Sequence, residues 1–210
     1  MRGRFVALEG VEGAGKSTQA RLLAERLDAV LTREPGATGL GARIRELVLD
    51  ADGPDVGVRA EALLMAADRA QHVEELVRPT VEAGRHVVSD RYLYSSVAYQ
   101  GHGRGLPPDE VRRLSEWATD GFHADLVVLV EVPVELGASR LAGPRDRIER
   151  SASGFWASVA DGFRAQAEAD PARWAVVDGA GPVEAVARSI AAVVDERLGL
   201  GADTPGGAHP

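Results

Sequence analysis

The sequence predicts an α/β fold built around one parallel sheet, and two patterns indicate it. Short apolar runs rich in β-branched residues alternate with longer segments in which apolar residues recur every three or four positions. Strands that alternate with helices form right-handed crossovers and parallel pairs, and helices then cover both faces of the sheet. Such sheets bind ligands beyond the carboxyl ends of their strands, so the residues that follow each strand are the candidate site residues.

Five segments are predicted as buried strands because each is a short apolar run. They are residues 4–9, 29–33, 86–90, 125–132 and 174–179. Helical periodicity predicts helices near residues 15–28, 39–50, 57–83, 108–119, 133–141, 151–170 and 182–198. The segment that follows the third strand is also interpreted as a helix. The expected architecture is therefore a five-stranded parallel sheet with helices on both faces.

Length and composition fit a single globular domain. The chain has 210 residues, of which 45% are hydrophobic and 27% charged. The domain is predicted to span residues 1–198, with a short Arg-rich lid at about 142–153 and a disordered tail at 199–210. A net charge of −8 argues against nucleic acid as a partner, and the absence of cysteine excludes thiolate metal sites. No apolar run is typical of a signal peptide or membrane span, so the expected location is the cytoplasm, without membrane association.

The most specific motif is GVEGAGKS, from Gly10 to Ser17, which matches G-x-x-x-x-G-K-[ST]. It follows the first predicted strand and opens a helix, so backbone N–H groups and the helix N-terminus would attract phosphate. Lys16 is expected to reach the β- and γ-phosphates and Ser17 to bind Mg²⁺. The sequence therefore predicts binding of a nucleoside triphosphate. The residues expected to hold it are Gly10, Val11, Glu12, Gly13, Ala14, Gly15, Lys16, Ser17 and Thr18.

Charged residues follow the second strand and lie in the long helix. After the second strand comes the turn TREPG and then a helix that carries Arg45, either to hold a phosphate or as part of a solvated face. Met65 and Arg69 are four residues apart and share a helix face. Met65 is either a core residue or a ligand contact. Arg69 lies in an apolar run, and a buried arginine needs a partner.

The third strand ends in a second cluster of candidates. Asp90 has the position from which an aspartate assists Mg²⁺ binding beside a phosphate loop, and Arg91 is expected to project into the same cleft. A helix after it would place polar and aromatic side chains on one side, either to hold a planar ligand or as an amphipathic surface. These side chains are Tyr92, Ser96, Tyr99 and Gln100.

A segment near residue 145 is rich in arginine. Gly143 and Pro144 mark a loop there. Arginines on a mobile flap can close over transferring phosphates and neutralise charge. The alternative is a turn in which the arginines pair with neighbouring carboxylates. The arginines are Arg140, Arg145, Arg147 and Arg150.

Together these motifs resemble those of bacterial thymidylate kinases, which belong to the nucleoside monophosphate kinase superfamily. The resemblance rests on LEGVEGAGKSTQ, TREPG, AADRAQHV, DRYLYSSVAYQG and DRIE, which occur in that order over about residues 4 to 180. It implies a P-loop NTPase fold, phosphorylation of dTMP to dTDP with ATP and Mg²⁺, and a homodimer. The alternatives are a P-loop kinase with a different acceptor, and a nucleotide-dependent regulatory module.

The resemblance also implies roles for individual residues. Arg69 would hydrogen-bond the thymine carbonyl, and Tyr99 would pack against the deoxyribose. Glu12 would accept a hydrogen bond from the 3′-hydroxyl of dTMP. Ser96 and Gln100 match positions near the base edge, and Met65 matches the position that covers the face of thymine. Arg45 and Arg91 match the clamp on the dTMP phosphate, and Pro35 is a further expected substrate-binding position. The residues expected to act in phosphoryl transfer are Lys16, Asp90, Arg91, Arg145 and Arg147, with Ser17 and Asp90 at the metal.

Three positions depart from the family pattern. Met65 stands where many relatives have an aromatic residue, so weaker stacking on thymine is expected. Ala37 replaces a common second glycine, and Phe163 replaces a common tyrosine. The role of Glu9, at the end of the first strand, stays open between a place near the metal and a structural one.

Overall fold

A computed structural model describes residues 2–141, 144 and 146–200. Five strands form one sheet in the order β2-β3-β1-β4-β5, and every neighbouring pair is parallel. Each strand begins and ends within one residue of its predicted bounds, so the predicted sheet is confirmed. The strands are β1 (Phe5–Glu9), β2 (Val30–Arg33), β3 (Val87–Asp90), β4 (Leu126–Glu131) and β5 (Trp174–Asp178).

Helices connect the strands, as predicted. The first two are α1 (Lys16–Leu27) and α2 (Gly39–Leu49), followed by α3 (Val58–His72), which passes through a π-helical turn (Val73–Val77) into α4 (Arg78–Glu82). After β3 come α5 (Leu93–Ser96), continued by a π-helical segment (Val97–Gly103), and α6 (Pro108–Ala118). The remaining helices among the described residues are α7 (Val134–Arg140), α8 (Ser153–Ala169) and α9 (Val183–Leu198).

Two π-helical stretches were not predicted. The first ends directly before Arg78 and Pro79. In a regular helix the ring of Pro79 would clash with the carbonyl of Glu75, and a widened turn accommodates it. The second carries Gly103, where an added Cβ would lie 2.5 Å from the Phe155 ring. A side chain is therefore excluded there, and α8 packs closely against this segment.

The core lies on both faces of the central strands. β1 lies between β3 and β4, and Phe5 and Leu8 are completely buried. Strands covered on both faces read as continuous apolar runs rather than alternating ones, as LVVLVE in β4 does. The sheet order places the loop after β1 beside the end of β3, and the loop after β2 on the other side of β3. These three strand ends carry most of the predicted site residues.

Part of the predicted lid and most of the predicted tail fall outside the part of the chain that the structure describes. Of the lid expected at about 142–153, residues 142, 143 and 145 are not described, and of the tail at 199–210 only residues 199 and 200 are. Leu200 packs against the core. Within the described ranges, no helix is long and apolar enough to cross a membrane.

Candidate active site

A cavity of about 650 Å³ opens at the carboxyl ends of β1, β2 and β3. This volume is in the range of small-molecule sites. One end is formed by the phosphate loop, and the other by residues of α3, α5 and the second π-helical segment. Predicted site residues that line it are Glu12, Lys16, Ser17, Pro35, Arg45, Met65, Arg69, Asp90, Arg91, Ser96, Tyr99 and Gln100.

The loop between β1 and α1 has a backbone that requires glycine. Gly13 has φ 73° and Gly15 has φ 92°, a left-handed region that other residues rarely adopt. A Cβ at Gly13 would also lie 2.0 Å from the carbonyl oxygen of Gly137. Lys16 follows at the N-terminus of α1, is buried, and donates from Nζ to the Val11 carbonyl at 2.8 Å. Burial, and then Arg91, lower the Lys16 pKa. The loop thus has the curled backbone and the lysine that hold phosphates.

Ser17 and Asp90 meet where the motif predicts a magnesium ion. The Ser17 hydroxyl donates to Oδ2 of Asp90. Oδ1 of Asp90 is buried and has no hydrogen-bond partner among the described residues. No cluster of three or more His, Asp or Glu side chains in this part of the chain could hold a metal. The Ser17 hydroxyl and the unpartnered Oδ1 of Asp90 are two oxygens that could face a metal ion. They fit Mg²⁺, which takes few protein ligands and completes its coordination shell with phosphate oxygens and water.

Glu12 is a carboxylate in a phosphate loop, and its partners explain how it is tolerated. Arg91 donates from Nη2 to Glu12 Oε1 at 2.5 Å and to the Tyr99 hydroxyl at 2.9 Å, and from Nη1 to the Gly10 carbonyl at 3.0 Å. Burial raises the pKa of Glu12, but Arg91 and Lys16 outweigh it and lower the pKa to about 2. Glu12 is therefore ionised and held beside two cations.

The backbone of Arg91 has a φ of 73°, which is uncommon for a residue with a side chain. Such strain persists only where surrounding contacts fix it, and it is frequent at functional sites. Here the guanidinium lies 4.9 Å from the centre of the Tyr99 ring and also donates to Ser95 Oγ at 3.0 Å. The strained backbone directs the guanidinium into the cavity.

Glu9 is completely buried, and the structure favours its structural role. Oε1 accepts from the backbone N–H groups of Tyr92 at 2.9 Å and Ser95 at 3.2 Å, and Oε2 accepts from the Ser95 hydroxyl at 2.6 Å. Burial raises the pKa of Glu9 to about 7, although Arg91 and Ser95 act in the opposite direction. Glu9 thus accepts hydrogen bonds from the free backbone N–H groups at the N-terminus of α5 and fixes the segment that carries Arg91.

At the far end of the cavity Arg69 is 2% exposed, and each of its three guanidinium nitrogens donates a hydrogen bond. It donates from Nε to Glu34 Oε2 at 2.8 Å, from Nη1 to Ser115 at 3.2 Å and from Nη2 to Ser96 at 3.0 Å. Glu34, which sequence reasoning did not select, also accepts a hydrogen bond from His72 Nδ1 at 2.8 Å through Oε1. The need of a buried arginine for a partner was a usable signal, and Glu34 in TREPG is that partner. A guanidinium has five N–H groups, so two remain for a ligand.

Arg45 and Met65 line the same cavity. Arg45 donates from Nη1 to the Pro35 carbonyl at 3.0 Å, and a Cβ at Gly36 would lie 2.8 Å from Arg45 Cδ. Glycine at position 36 therefore lets the arginine pack across the turn after β2. Phe163, noted as a departure, is buried with its ring 6.2 Å from that of Tyr99. This contact positions Tyr99 without a hydroxyl.

Glu61 is a second buried residue that sequence reasoning missed. Its Oε1 accepts from Gln100 at 2.9 Å and from Arg104 at 3.3 Å, and its Oε2 accepts from Arg147 at 2.7 Å. A single glutamate in the apolar stretch AEALLMAA gave only a weak signal.

Arg147 was predicted to act in phosphoryl transfer. In the structure its Nε donates to the Val48 carbonyl at 2.7 Å, and its backbone N–H donates to the Leu49 carbonyl at 3.1 Å. Together with the Glu61 contact, these bonds dock Arg147 on α2 and α3, while its neighbours Asp146 and Ile148 line the cavity. Arg145, predicted for the same task, lies outside the described residues. The direct role of both arginines stays a prediction.

Comparison with known proteins agrees with this geometry. The sequence profile of thymidylate kinase matches residues 8–190. A thymidylate kinase of Leifsonia xyli subsp. xyli is 50% identical over 204 residues, covering 93% of this chain and 96% of its own. Thymidylate kinases of Clavibacter sepedonicus and Bifidobacterium longum are 47% and 45% identical, covering 96% and 93% of this chain and 99% of their own. The chain belongs to the thymidylate kinase family.

Proposed function

We propose that this protein transfers the γ-phosphoryl group of ATP to the 5′-phosphate of dTMP and so produces dTDP. The observation that carries the proposal is the continuity of one cavity from Lys16 in the phosphate loop to the buried Arg69. A GTPase or a motor has no use for a second polar pocket beside its phosphate loop. A kinase needs one, because donor and acceptor must meet with their phosphates in line.

The donor end would hold the triphosphate of ATP. Backbone N–H groups of the loop from Gly10 to Ser17 and the N-terminus of α1 attract its phosphates. Lys16 supplies positive charge next to them. Ser17 and Asp90 are the residues that would hold Mg²⁺, which neutralises phosphate charge when bound.

The acceptor end would hold dTMP. Arg69, fixed by Glu34 and Ser96, donates to the thymine carbonyl, and Gln100 lies beside it. The remaining contacts follow from position in the cavity: Met65 covers the base, Tyr99 supports the deoxyribose, Glu12 accepts from the 3′-hydroxyl, and Arg45 and Arg91 hold the 5′-phosphate.

The reaction needs no general base, because the acceptor phosphate is already ionised. Catalysis is positioning and stabilisation of charge on the transferring group. Arg91 is suited to this task because Glu12, Gly10 and Tyr99 fix its guanidinium. Arg145 and Arg147 are the proposed lid cations that complete the site.

The protein is further proposed to be a homodimer in the cytoplasm. Exposed apolar side chains lie on α2, α3 and α6, and α3 packs against the other two helices. Leu40, Leu47, Leu63 and Trp117 are exposed to 50%, 43%, 57% and 82%. Neighbouring exposed apolar residues mark an interaction surface, and a second copy of the chain is the proposed partner. Sedimentation analysis of the wild type and Trp117→Glu tests this, because a dimer held by this surface should dissociate in the variant.

The activity is tested by coupling ADP release to a detectable reaction, with ATP and Mg²⁺ present. The acceptors dTMP, dUMP, dCMP, dGMP, AMP and thymidine are offered separately. Strong turnover with dTMP, weaker turnover with dUMP and none with thymidine is the expected result. Preferred turnover of another acceptor would contradict the residues assigned to the thymine base. ATP turnover that does not depend on any acceptor would favour a regulatory module.

A further inference from the structure

Glu61 is a buried ionised side chain that the proposed mechanism does not use. It lies in the first turn of α3 and is 1% exposed. Burial acts to raise its pKa, but the hydrogen bond from Gln100 and the charges of Arg104 and Arg147 lower the pKa below the ordinary value. The side chain is therefore a carboxylate at neutral pH, and a carboxylate accepts hydrogen bonds without donating any.

This property fixes the amide of Gln100. Glu61 Oε1 lies 2.9 Å from Gln100 Nε2. With the amide reversed, two oxygens would face each other at that distance, with no proton between them. The NH₂ group must therefore point to Glu61, and the carbonyl Oε1 is what Gln100 offers to the cavity that it lines. Among the described residues, the side chain of Gln100 forms one hydrogen bond, from Nε2 to Glu61.

Gln100 and Arg69 then present a fixed hydrogen-bonding pattern. Arg69 can only donate, and it bonds Ser96, which precedes Gln100 by about one helical turn. The end of the cavity thus offers a donor beside an acceptor. Thymine and uracil offer the complement, a 4-carbonyl oxygen beside an N3–H group. Cytosine offers the reverse, a 4-amino donor beside an unprotonated N3.

We propose that Glu61 is a positioning residue that sets the pyrimidine specificity of the acceptor site by holding the Gln100 carbonyl towards the base. The proposal rests on the proposed function, since it needs a pyrimidine nucleotide in this cavity. Glu61 acts through Gln100 and touches no substrate atom. Arg104 and Arg147 hold the carboxylate in place. They are anchored in turn, because Arg104 donates to Ser151 at 3.2 Å and Arg147 to the Val48 carbonyl at 2.7 Å.

Glu61→Gln tests the proposal with almost no change in shape. A neutral amide at position 61 presents either its oxygen or its NH₂ group to Gln100, so the Gln100 amide is no longer held in one orientation. The KM for dTMP should rise and the inhibition constant of dCMP should fall, so that their ratio shifts about tenfold. The kcat with dTMP should change much less, and the KM for ATP should stay constant. A loss of fold stability alone would not move the ratio.

A matched control and a second background sharpen this experiment. Gln71 donates to Glu75 at 2.8 Å in an exposed Gln–Glu pair near the same helix, and Glu75→Gln should leave the ratio unchanged. Gln100→Met removes the amide, so adding Glu61→Gln to it should shift the ratio no further. If Glu61→Gln does not fold, Glu61→Asp withdraws the carboxylate from Gln100 and should shift the ratio in the same direction.

The outcomes separate this proposal from the proposed function. If the wild type does not phosphorylate dTMP, the proposed function fails first. If it does, an unchanged dTMP-to-dCMP ratio in Glu61→Gln, or in Glu61→Asp where that variant is used, overturns the role of Glu61. An additional shift in the Gln100→Met background would also overturn it, because Glu61 would then act by another route.

Discussion

Replacement of Glu9 by glutamine should change how the stability of the fold depends on pH. The pKa of Glu9 is raised from 4.5 to about 7, mainly by burial. Between these values the folded state holds a proton that the unfolded state has released. The free energy of unfolding therefore falls as pH rises through this interval. One pKa unit corresponds to about 1.36 kcal/mol, so the total loss is about 3 kcal/mol.

Glutamine at position 9 removes this titration and keeps most of the contacts. Its oxygen accepts from the N–H groups of Tyr92 and Ser95, as Oε1 of Glu9 does, and its NH₂ group faces the Ser95 hydroxyl, which becomes the acceptor. The variant should exceed the wild type by about 1 kcal/mol at pH 5 and by about 3 kcal/mol at pH 8.

Urea unfolding at pH 5, 6, 7 and 8 measures this difference, with the exposed Glu82→Gln as control. A difference between Glu9→Gln and the wild type that is the same at every pH would refute the reasoning. If Glu9→Gln instead needs a higher Mg²⁺ concentration for half-maximal activity, Glu9 lies at the metal.

Three further predictions concern the cavity and its loop. Arg69→Gln should raise the KM for dTMP about tenfold or more and leave the KM for ATP unchanged. The control Arg59→Gln, exposed on the same helix, should change neither KM. Equal effects of Arg69→Gln on both KM values would contradict a role of Arg69 in base recognition. Gly13→Ala should destabilise the fold by about 2 kcal/mol, measured by urea unfolding. Gly154→Ala, with nothing within 4 Å of an added Cβ, should not destabilise it. Ser17→Ala should raise the Mg²⁺ concentration for half-maximal activity about tenfold, and an unchanged Mg²⁺ requirement would remove Ser17 from the metal site.

The sheet and the phosphate loop could be predicted because their signals are local. A buried strand requires a run such as LVVLVE, and the loop requires glycine at positions such as Gly13, where φ is 73°. Both requirements leave a signal in a short stretch of sequence. The helices followed from periodicity for the same reason. The two π-helical turns were not predicted, because a widened turn leaves the spacing of apolar residues almost unchanged.

The partners of the buried arginines could not be predicted in the same way. Arg69 and Glu34 are 35 residues apart and Arg147 and Glu61 are 86 apart, so only the folded chain brings them together. The composition of TREPG and AEALLMAA does not distinguish a buried carboxylate from an exposed one. Sequence reasoning therefore identified several cations of the site, but it did not identify the carboxylates that orient two of them.

These carboxylates divide the arginines of the site into two kinds. A buried ion pair adds little net stability, because desolvation offsets attraction, but it aims a guanidinium that would otherwise be mobile. Three arginines are aimed in this way, in the pairs Arg69–Glu34, Arg91–Glu12 and Arg147–Glu61. Arg45 is different, since it donates to the Pro35 carbonyl and forms no ion pair with any described residue. Burial and the nearby Arg33 lower its pKa, so an arriving phosphate dianion would relieve an unfavourable charge. Under the proposed function, the paired arginines would supply geometry, and Arg45, which has no ion-pair partner among the described residues, would supply attraction for the acceptor phosphate.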